Sequence, residues 1–374
     1  MLLGVIPARG GSKGLPGKNI ARIAGFPLIY WTIQAAKHSK LLDDFLVSTD
    51  DPAIASVARR YGARVLDRPA RLAQDDTTTL AVLRHVFSCE PFDAVVVLQP
   101  TSPLRDADTI DSCIAEFQSN GYDTLATGSY TKIIEYGTHR NLRRQDIPGF
   151  FYDDGNVYIL HNSVVRRDLW YGDAICRKEL SPELNFEIDD ETTFIATEAL
   201  LLKRLRSGAQ SNDFFSRLSK IKVLAMDVDG VLTDAGMYYF DNGEEMKKFN
   251  TRDGMGISRI MRAGIKTAII SSEKTDIIFR RAEKLGIDYV YGGVIDKSAV
   301  LDEIINKENC LPEDVAYIGD DLNDFLIMTK AGIAITVPDA NETILNTAAY
   351  VTKRRGGEGA VREVCDLLLR KRSS

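Results

Sequence analysis

The stretch IKVLAMDVDGVLTD, residues 221–234, decides the fold of the chain. An apolar run ends at Asp227, and Asp229 follows at an offset of two. In an open parallel sheet ligands bind at the carboxyl ends of the strands, and side chains at i and i+2 there share a side. Two carboxylates so placed suit attack on phosphorus, with Asp227 as nucleophile and Asp229 as general acid and then base.

Three more strand ends supply what that chemistry lacks. Ser271, closing KTAIIS, can hydrogen-bond a phosphoryl oxygen, Lys297 in VIDKSAV can neutralise it, and Asp320 in YIGDDLND can complete an oxygen site for Mg²⁺. Taken singly, an aspartate after a strand reads as a helix cap and a loop lysine as solvated. Four such residues in order, each ending a predicted strand, read as one site.

Outward from this stretch the pattern is strand and helix in alternation. KVLAMDV, KTAIISS, DYVYGG, VAYIGDD and GIAITV read as strands, GISRIMRAG and TDIIFRRAEKLG as helices. Towards the N-terminus, LLGVIPA, DFLVST, DAVVVLQ, DTLATGS and NVYILHN read as strands between amphipathic stretches such as PLIYWTIQAAKHSK and DPAIASVARRYG. Each half has the order of a parallel sheet covered on both faces. The expectation is an α/β chain of two tandem Rossmann-like domains, 1–206 and 221–374, joined by a polar linker at 207–220. A length of 374 residues agrees with two cores.

The formal net charge of −6 and the lack of a long basic run argue against nucleic acid as the main partner. No apolar run reaches the ~18 residues of a membrane span, and the N-terminus lacks the form of a signal peptide, so a cytoplasmic enzyme with no membrane partner is expected. The five cysteines are dispersed without a C-x-x-C pair, which disfavours structural zinc or a disulfide framework. The four histidines are scattered too, leaving carboxylates, lysines and a hard metal to carry the chemistry.

At the N-terminus, IPARGGSKGLPGKN follows the first strand. It fails as a P-loop, since Ser12 stands where the first glycine belongs and Asn19 where Ser or Thr does, and its glycines do not space as G-x-G-x-x-G. What survives is either a flexible loop presenting Arg9, Lys13 and Lys18 to a polyphosphate or a solvated basic loop.

Residues 221–374 resemble the haloacid dehalogenase superfamily, in particular phosphatases of 3-deoxy-2-keto sugar acids acting on Kdo 8-phosphate or KDN 9-phosphate. The shared stretches include KKFNTRDGMGI, IISSEKT, RRAEKLGIDYVYGGVIDK, AYIGDDLND and RGGEGAVREVCDLLL. The resemblance implies Mg²⁺ held by the Asp227 carboxylate, the Asp229 carbonyl and Asp320, a minimal cap, and a homotetramer whose neighbouring subunits help close each site. Glu273, in the position typical of the nine-carbon enzymes, is implied to read a hydroxyl or N-acyl NH of the sugar acid. Lys284 is implied to meet its carboxylate; eleven residues on, at nearly the same helical face but ~16 Å along the axis, it is expected from a neighbouring chain.

Residues 1–205 resemble the CMP-sialic acid synthetases, the N-acylneuraminate cytidylyltransferases, through the opening loop and through VSTDD, RPARLAQDD and LQPTSPLR. By that resemblance Arg9, Ser12, Lys13, Lys18, Asn19 and Arg68 bind CTP, Gln99 faces the sugar acid, and Glu187 and Asp189 of NFEIDDE hold metal. Glu187 stands where many members have Asp, and in YDDGNVY Asp154 takes the place of an Asn that lines the sugar-acid pocket. The pair of resemblances implies a bifunctional chain that frees a nine-carbon keto acid from its 9-phosphate and activates it with CTP. A Kdo-type transferase and phosphatase, or a transferase with a mainly oligomerising second domain, are the alternatives; retention of Asp227, Asp229, Lys297 and Asp320 favours an active phosphatase.

Overall fold

The computed structural model describes residues 1–11, 15–132, 143–207 and 213–370. It divides into two compact units, Met1–Gln210 and Ser211–Ser374.

The first unit is built on seven strands: β1 (Leu2–Pro7), β2 (Asp44–Thr49), β3 (Arg64–Asp67), β4 (Ala94–Leu98), β5 (Thr124–Thr131), β6 (Phe150–His161) and β7 (Ile175–Glu179), in the order β3-β2-β1-β4-β6-β5-β7. The strand period of two distributes the apolar residues between two cores. Leu3 and Val5 join Leu46, Val95 and Val97 on one face, while Ile6 joins Val47, Val96 and Leu98 on the other. Burial on both faces is why β1 and β4 read as continuous apolar runs. The sheet is not wholly parallel, because β6 runs antiparallel to both β4 and β5. Thr131 pairs with Phe150, so the chain returns beside itself instead of crossing over, a reversal that the strand and helix count did not disclose. Strands β3 and β7 were not anticipated; both are short, and the two ends of β3 are exposed.

The second unit has β8 (Val223–Met226), β9 (Lys266–Ser271), β10 (Tyr289–Gly292), β11 (Val315–Ile318), β12 (Ile333–Thr336) and β13 (Tyr350–Val351), all parallel, in the order β10-β9-β8-β11-β12-β13. The crossover on each side of β8 makes its carboxyl end the switch point where ligands bind in such sheets. Between Asp234 and the helix that starts at Thr251 the described residues form a two-stranded hairpin, Tyr238–Tyr239 against Glu245–Met246.

The stretch read as a linker carries a helix, Asp213–Leu218. Its Phe214 and Leu218 are buried, and Phe214 stacks on Tyr350 with ring centroids 5.5 Å apart. Their i, i+4 spacing is a one-turn apolar stripe within an otherwise polar segment, too short to stand out by composition.

Candidate active sites

In the first unit the chain leaves β1 at Pro7, and Gly17, at φ 64°, opens the turn Lys18–Ile20. Asn19 donates from Nδ2 to the Arg9 carbonyl at 2.9 Å, so the turn folds back on the strand end. Arg9, Lys18, Asn19, Arg68, Gln99 and Asp189, all expected site residues, line one cavity of about 410 Å³. Ser12 and Lys13 lie outside the described residues.

The cations in this cavity already have anionic or carbonyl partners. Arg9 reaches Asp75 at 3.0 Å and the Gln74 carbonyl at 2.9 Å. Lys18 Nζ donates to the Ile188 carbonyl at 2.7 Å and lies 3.8 Å from Asp189. Arg68 is buried, donates to the Ser48 carbonyl at 2.6 Å, and burial pulls its pKa down to about 10, still cationic at neutral pH. Thr101, on the wall, donates to Glu187 at 3.0 Å, which places Glu187 just behind it. Burial first, then the charge of Asp189, raises the Glu187 carboxyl above its ordinary range. Two carboxylates repelling each other beside an anion pocket are a donor set that suits a hard cation.

Asp154 is buried on β6, where its Oδ1 accepts from Thr127 Oγ1 at 2.6 Å and from the Asn156 amide at 3.0 Å. Its Oδ2 has no hydrogen-bond partner, and burial raises its pKa. Asp154 is not part of the cavity wall among the described residues. It adjoins Glu187 through Gly155, at φ 66°, where a Cβ would lie 3.0 Å from a Glu187 oxygen.

Arg105 was missed, although it closes the quoted LQPTSPLR. It is fully buried, donates to the Gln99 carbonyl at 2.9 Å, to Thr32 Oγ1 at 3.0 Å and to Asn156, and burial draws its pKa down to about 9. It thereby ties the end of β4, which carries Gln99, to β6.

In the second unit Asp227 and Asp320 stand just past the ends of β8 and β11, but Lys297, read as ending a strand, is the first residue of the helix Lys297–Lys307, five positions past β10. Asp227 is buried at the end of β8, and Lys297 Nζ, also buried, donates to Asp227 at 2.6 Å and to Asp324 at 2.7 Å. Carboxylate oxygens of Asp227, Asp320 and Asp324 lie within 4.8 Å of one another, the only such group found among the described residues. One ammonium does not balance three carboxylates. Burial and then Asp324 push Asp227 up to about 7, and burial, Asp227 and Asp324 push Asp320 up to about 8. Burial pulls Lys297 down, yet Asp227 and Asp324 hold it above its ordinary value. A buried, mutually repelling oxygen set of this kind fits a divalent cation. The backbone is shaped for it, since a Cβ on Gly230, at φ 75°, would overlap Asp320 Oδ2.

Ser271 is buried at the end of β9, and its Oγ accepts from the Glu273 amide at 3.1 Å. Glu273 lies in the loop before the helix Asp276–Leu285, not on it. The shared helical face expected of Glu273 and Lys284 therefore does not exist, because the helix starts three residues later. Lys284 is exposed in the last turn of that helix.

Asp324 and Lys247 were also missed. Asp324 lies four residues beyond Asp320, accepts from Lys297, from Tyr317 Oη at 2.6 Å and from the Asp320 amide at 2.9 Å, and so organises the cluster from behind. Its place in YIGDDLND was visible. Lys247 is buried after the hairpin and donates to Asp229 Oδ1 at 2.6 Å and to Glu273; nothing in KKFN separates it from the exposed Lys248 except strand alternation.

Residues 3–164 match the cytidylyltransferase family and residues 241–364 the haloacid dehalogenase-like hydrolase family. N-acylneuraminate cytidylyltransferase A of Danio rerio is 31% identical over 391 residues, spanning 99% of this chain and 89% of the fish protein. The 3-deoxy-D-manno-octulosonate 8-phosphate phosphatase of Yersinia pestis is 44% identical over 162 residues, 43% of this chain and 87% of its own. A crystal structure of the Yersinia pestis phosphatase aligns with a TM-score of 0.43 at 43% identity, over 44% of this chain and 89% of that one. By its likeness to a relative along nearly its whole length, and with a nucleotidyltransferase half followed by a phosphatase half, this chain belongs to the N-acylneuraminate cytidylyltransferase family.

Proposed function

We propose that the first domain transfers CMP from CTP to the anomeric 2-hydroxyl of a nine-carbon keto acid, an N-acylneuraminate or KDN, and that the second hydrolyses the 9-phosphate of that acid. The observation that carries this reading is the full-length likeness to an N-acylneuraminate cytidylyltransferase, joined to a second domain whose buried Asp227, Lys297 and Asp324 cluster is intact.

In the transferase the 2-hydroxyl attacks the α-phosphorus and pyrophosphate leaves. Arg9, Lys18, Asn19 and Arg68 hold the nucleotide, exchanging protein partners such as Asp75 and Asp189 for phosphate oxygens. Gln99, held by Arg105, faces the acceptor. In the phosphatase a carboxylate oxygen of Asp227 bonds to phosphorus as the sugar oxygen departs with a proton from Asp229. Asp229 then takes a proton from water as that water displaces Asp227 and releases phosphate. Lys297 and Ser271 neutralise and orient the phosphoryl group. Glu187 and Asp189 in the first site, and Asp227, the Asp229 carbonyl and Asp320 in the second, would hold Mg²⁺, which would supply charge neutralisation of phosphoryl oxygens. Assembly as a homotetramer, with Lys284 lent to a neighbour's site, belongs to the same reading.

The test is pyrophosphate release from CTP with a panel of eight- and nine-carbon keto acids, beside phosphate release from their 8- and 9-phosphates. Preference for nine carbons in both assays is expected. The 44% identity of the second domain to an eight-carbon phosphatase supports a second reading, and preference for the 8-phosphate would replace the nine-carbon assignment with it.

A further inference from the structure

Lys247 has no part in the chemistry set out above, yet it is the most confined cation beside Asp229. Its side chain is 1% exposed, whereas the adjacent Lys248 is 58% exposed and pairs with Asp234. Burying an ammonium is costly unless it is paired, and Lys247 is paired twice, with Asp229 and with Glu273. Burial pulls its pKa down, but the hydrogen bonds to those two carboxylates hold it above the ordinary value.

We propose that Lys247 is a positioning residue, orienting Asp229 as proton donor to the leaving sugar oxygen and tying that donor to the sugar-reading Glu273. The inference rests on the phosphatase reading of the second domain. The geometry carries the assignment. Lys247 Nζ meets Asp229 Oδ1 at 2.6 Å, and Thr233 Oγ1 approaches the same oxygen at 3.4 Å. Oδ1 is thus the anchored oxygen, which leaves Oδ2 to exchange a proton with the sugar oxygen. As Asp227 bonds to phosphorus and the P–O bond to the sugar breaks, the departing oxygen takes that proton and Asp229 becomes a carboxylate. Its new charge meets an ammonium already in place, a stabilisation that grows only as the proton leaves. The same ammonium fixes Glu273 on its other side, so the distance between acid and sugar reader is set by one side chain.

A leaving group that needs no proton separates this role from a structural one. In single-turnover experiments on the full chain with Mg²⁺, Lys247→Met is expected to slow release of the keto acid from its phosphate by ~100-fold or more. Release of nitrophenolate from p-nitrophenyl phosphate should fall at least ~10-fold less, since that anion leaves unprotonated. Lys247→Arg should recover part of the loss on the sugar substrate, and Glu273→Gln, which keeps the side-chain shape, should show the same bias in smaller measure. Equal losses on both phosphates, or no loss on the sugar phosphate, would overturn the inference while leaving the phosphatase reading intact. A wild-type chain that hydrolyses neither phosphate overturns both.

Discussion

Lys18 stands between a carbonyl and a carboxylate at the wall of the first cavity, with its side chain 15% exposed, so its charge is held where a triphosphate would arrive. Lys18→Ala is expected to lower CTP-dependent turnover by about a hundredfold, the loss typical of one preorganised stabiliser, with phosphate release from the second domain unchanged; a pyrophosphate assay checks it. Asp253 shows a residue whose burial works against stability. Its Oδ1 accepts from the Arg362 amide at 2.7 Å, its Oδ2 has no partner, and burial pushes its pKa from 3.8 up to about 6. The folded state then keeps a proton that the unfolded state gives up near pH 4, so stability falls as pH rises from about 4 to about 6 and is level above, on the order of 3 kcal/mol in all. Asp253→Asn should flatten that part of the pH profile in thermal unfolding of the second domain. At this scale Asp227, Asp229, Ser271 and Asp320 were singled out because each stands at or just past the end of an apolar run, whereas Lys297 opens the helix Lys297–Lys307, five positions past β10. Lys247 and Arg105 were not singled out, since their partners are distant in sequence, and Asp324, though visible in YIGDDLND, was passed over because its pairing with Lys297 is not local.

The Arg362 amide that Asp253 accepts belongs to the first turn of the C-terminal helix Ala360–Arg370, where backbone donors lack helical partners. A side chain from the helix Thr251–Arg262 thus caps its neighbour, and the two helices come close enough that a Cβ on Gly256 would lie 2.9 Å from Arg362 Cδ and 3.1 Å from Cys365 Cβ. Gly256→Val is expected to force them apart and cost ~1–3 kcal/mol or more, as overpacking does, measured as a lower midpoint in urea with the slope unchanged. Periodicity was enough to foresee the first of these helices through GISRIMRAG, but neither the helix Ala360–Arg370 nor the capping of one by the other was read from the sequence. The antiparallel β6 escaped for the same kind of reason: a strand's direction is set by its pairing partner, and Phe150–His161 has the same alternation read either way.

Each domain carries its candidate site on its own sheet. Asp227→Asn is therefore expected to abolish phosphate release while CTP-dependent pyrophosphate release stays within a few-fold; loss of both in a folded, assembled variant would contradict two separate sites. The shared-site reading has its own check. Glu273→Ala and Lys284→Ala chains, each impaired alone, should regain about a quarter of wild-type phosphatase activity when mixed at random, the share of sites receiving both intact residues in a closed assembly. Demonstrated mixed oligomers without recovery would remove Lys284 from the site. The split into two α/β halves and most of their strands were determined by the sequence alone, because backbone period and strand termination are local properties read within a few residues; the short β3 and β7 were not. Which carboxylates converge within 4.8 Å, that one lysine serves Asp227 and Asp324 while another serves Asp229 and Glu273, and that β6 reverses were decided only by the tertiary structure. Those outcomes depend on charges and backbones brought together from positions up to 97 residues apart, from Asp227 to Asp324, where burial removes the water that would otherwise leave each group independent.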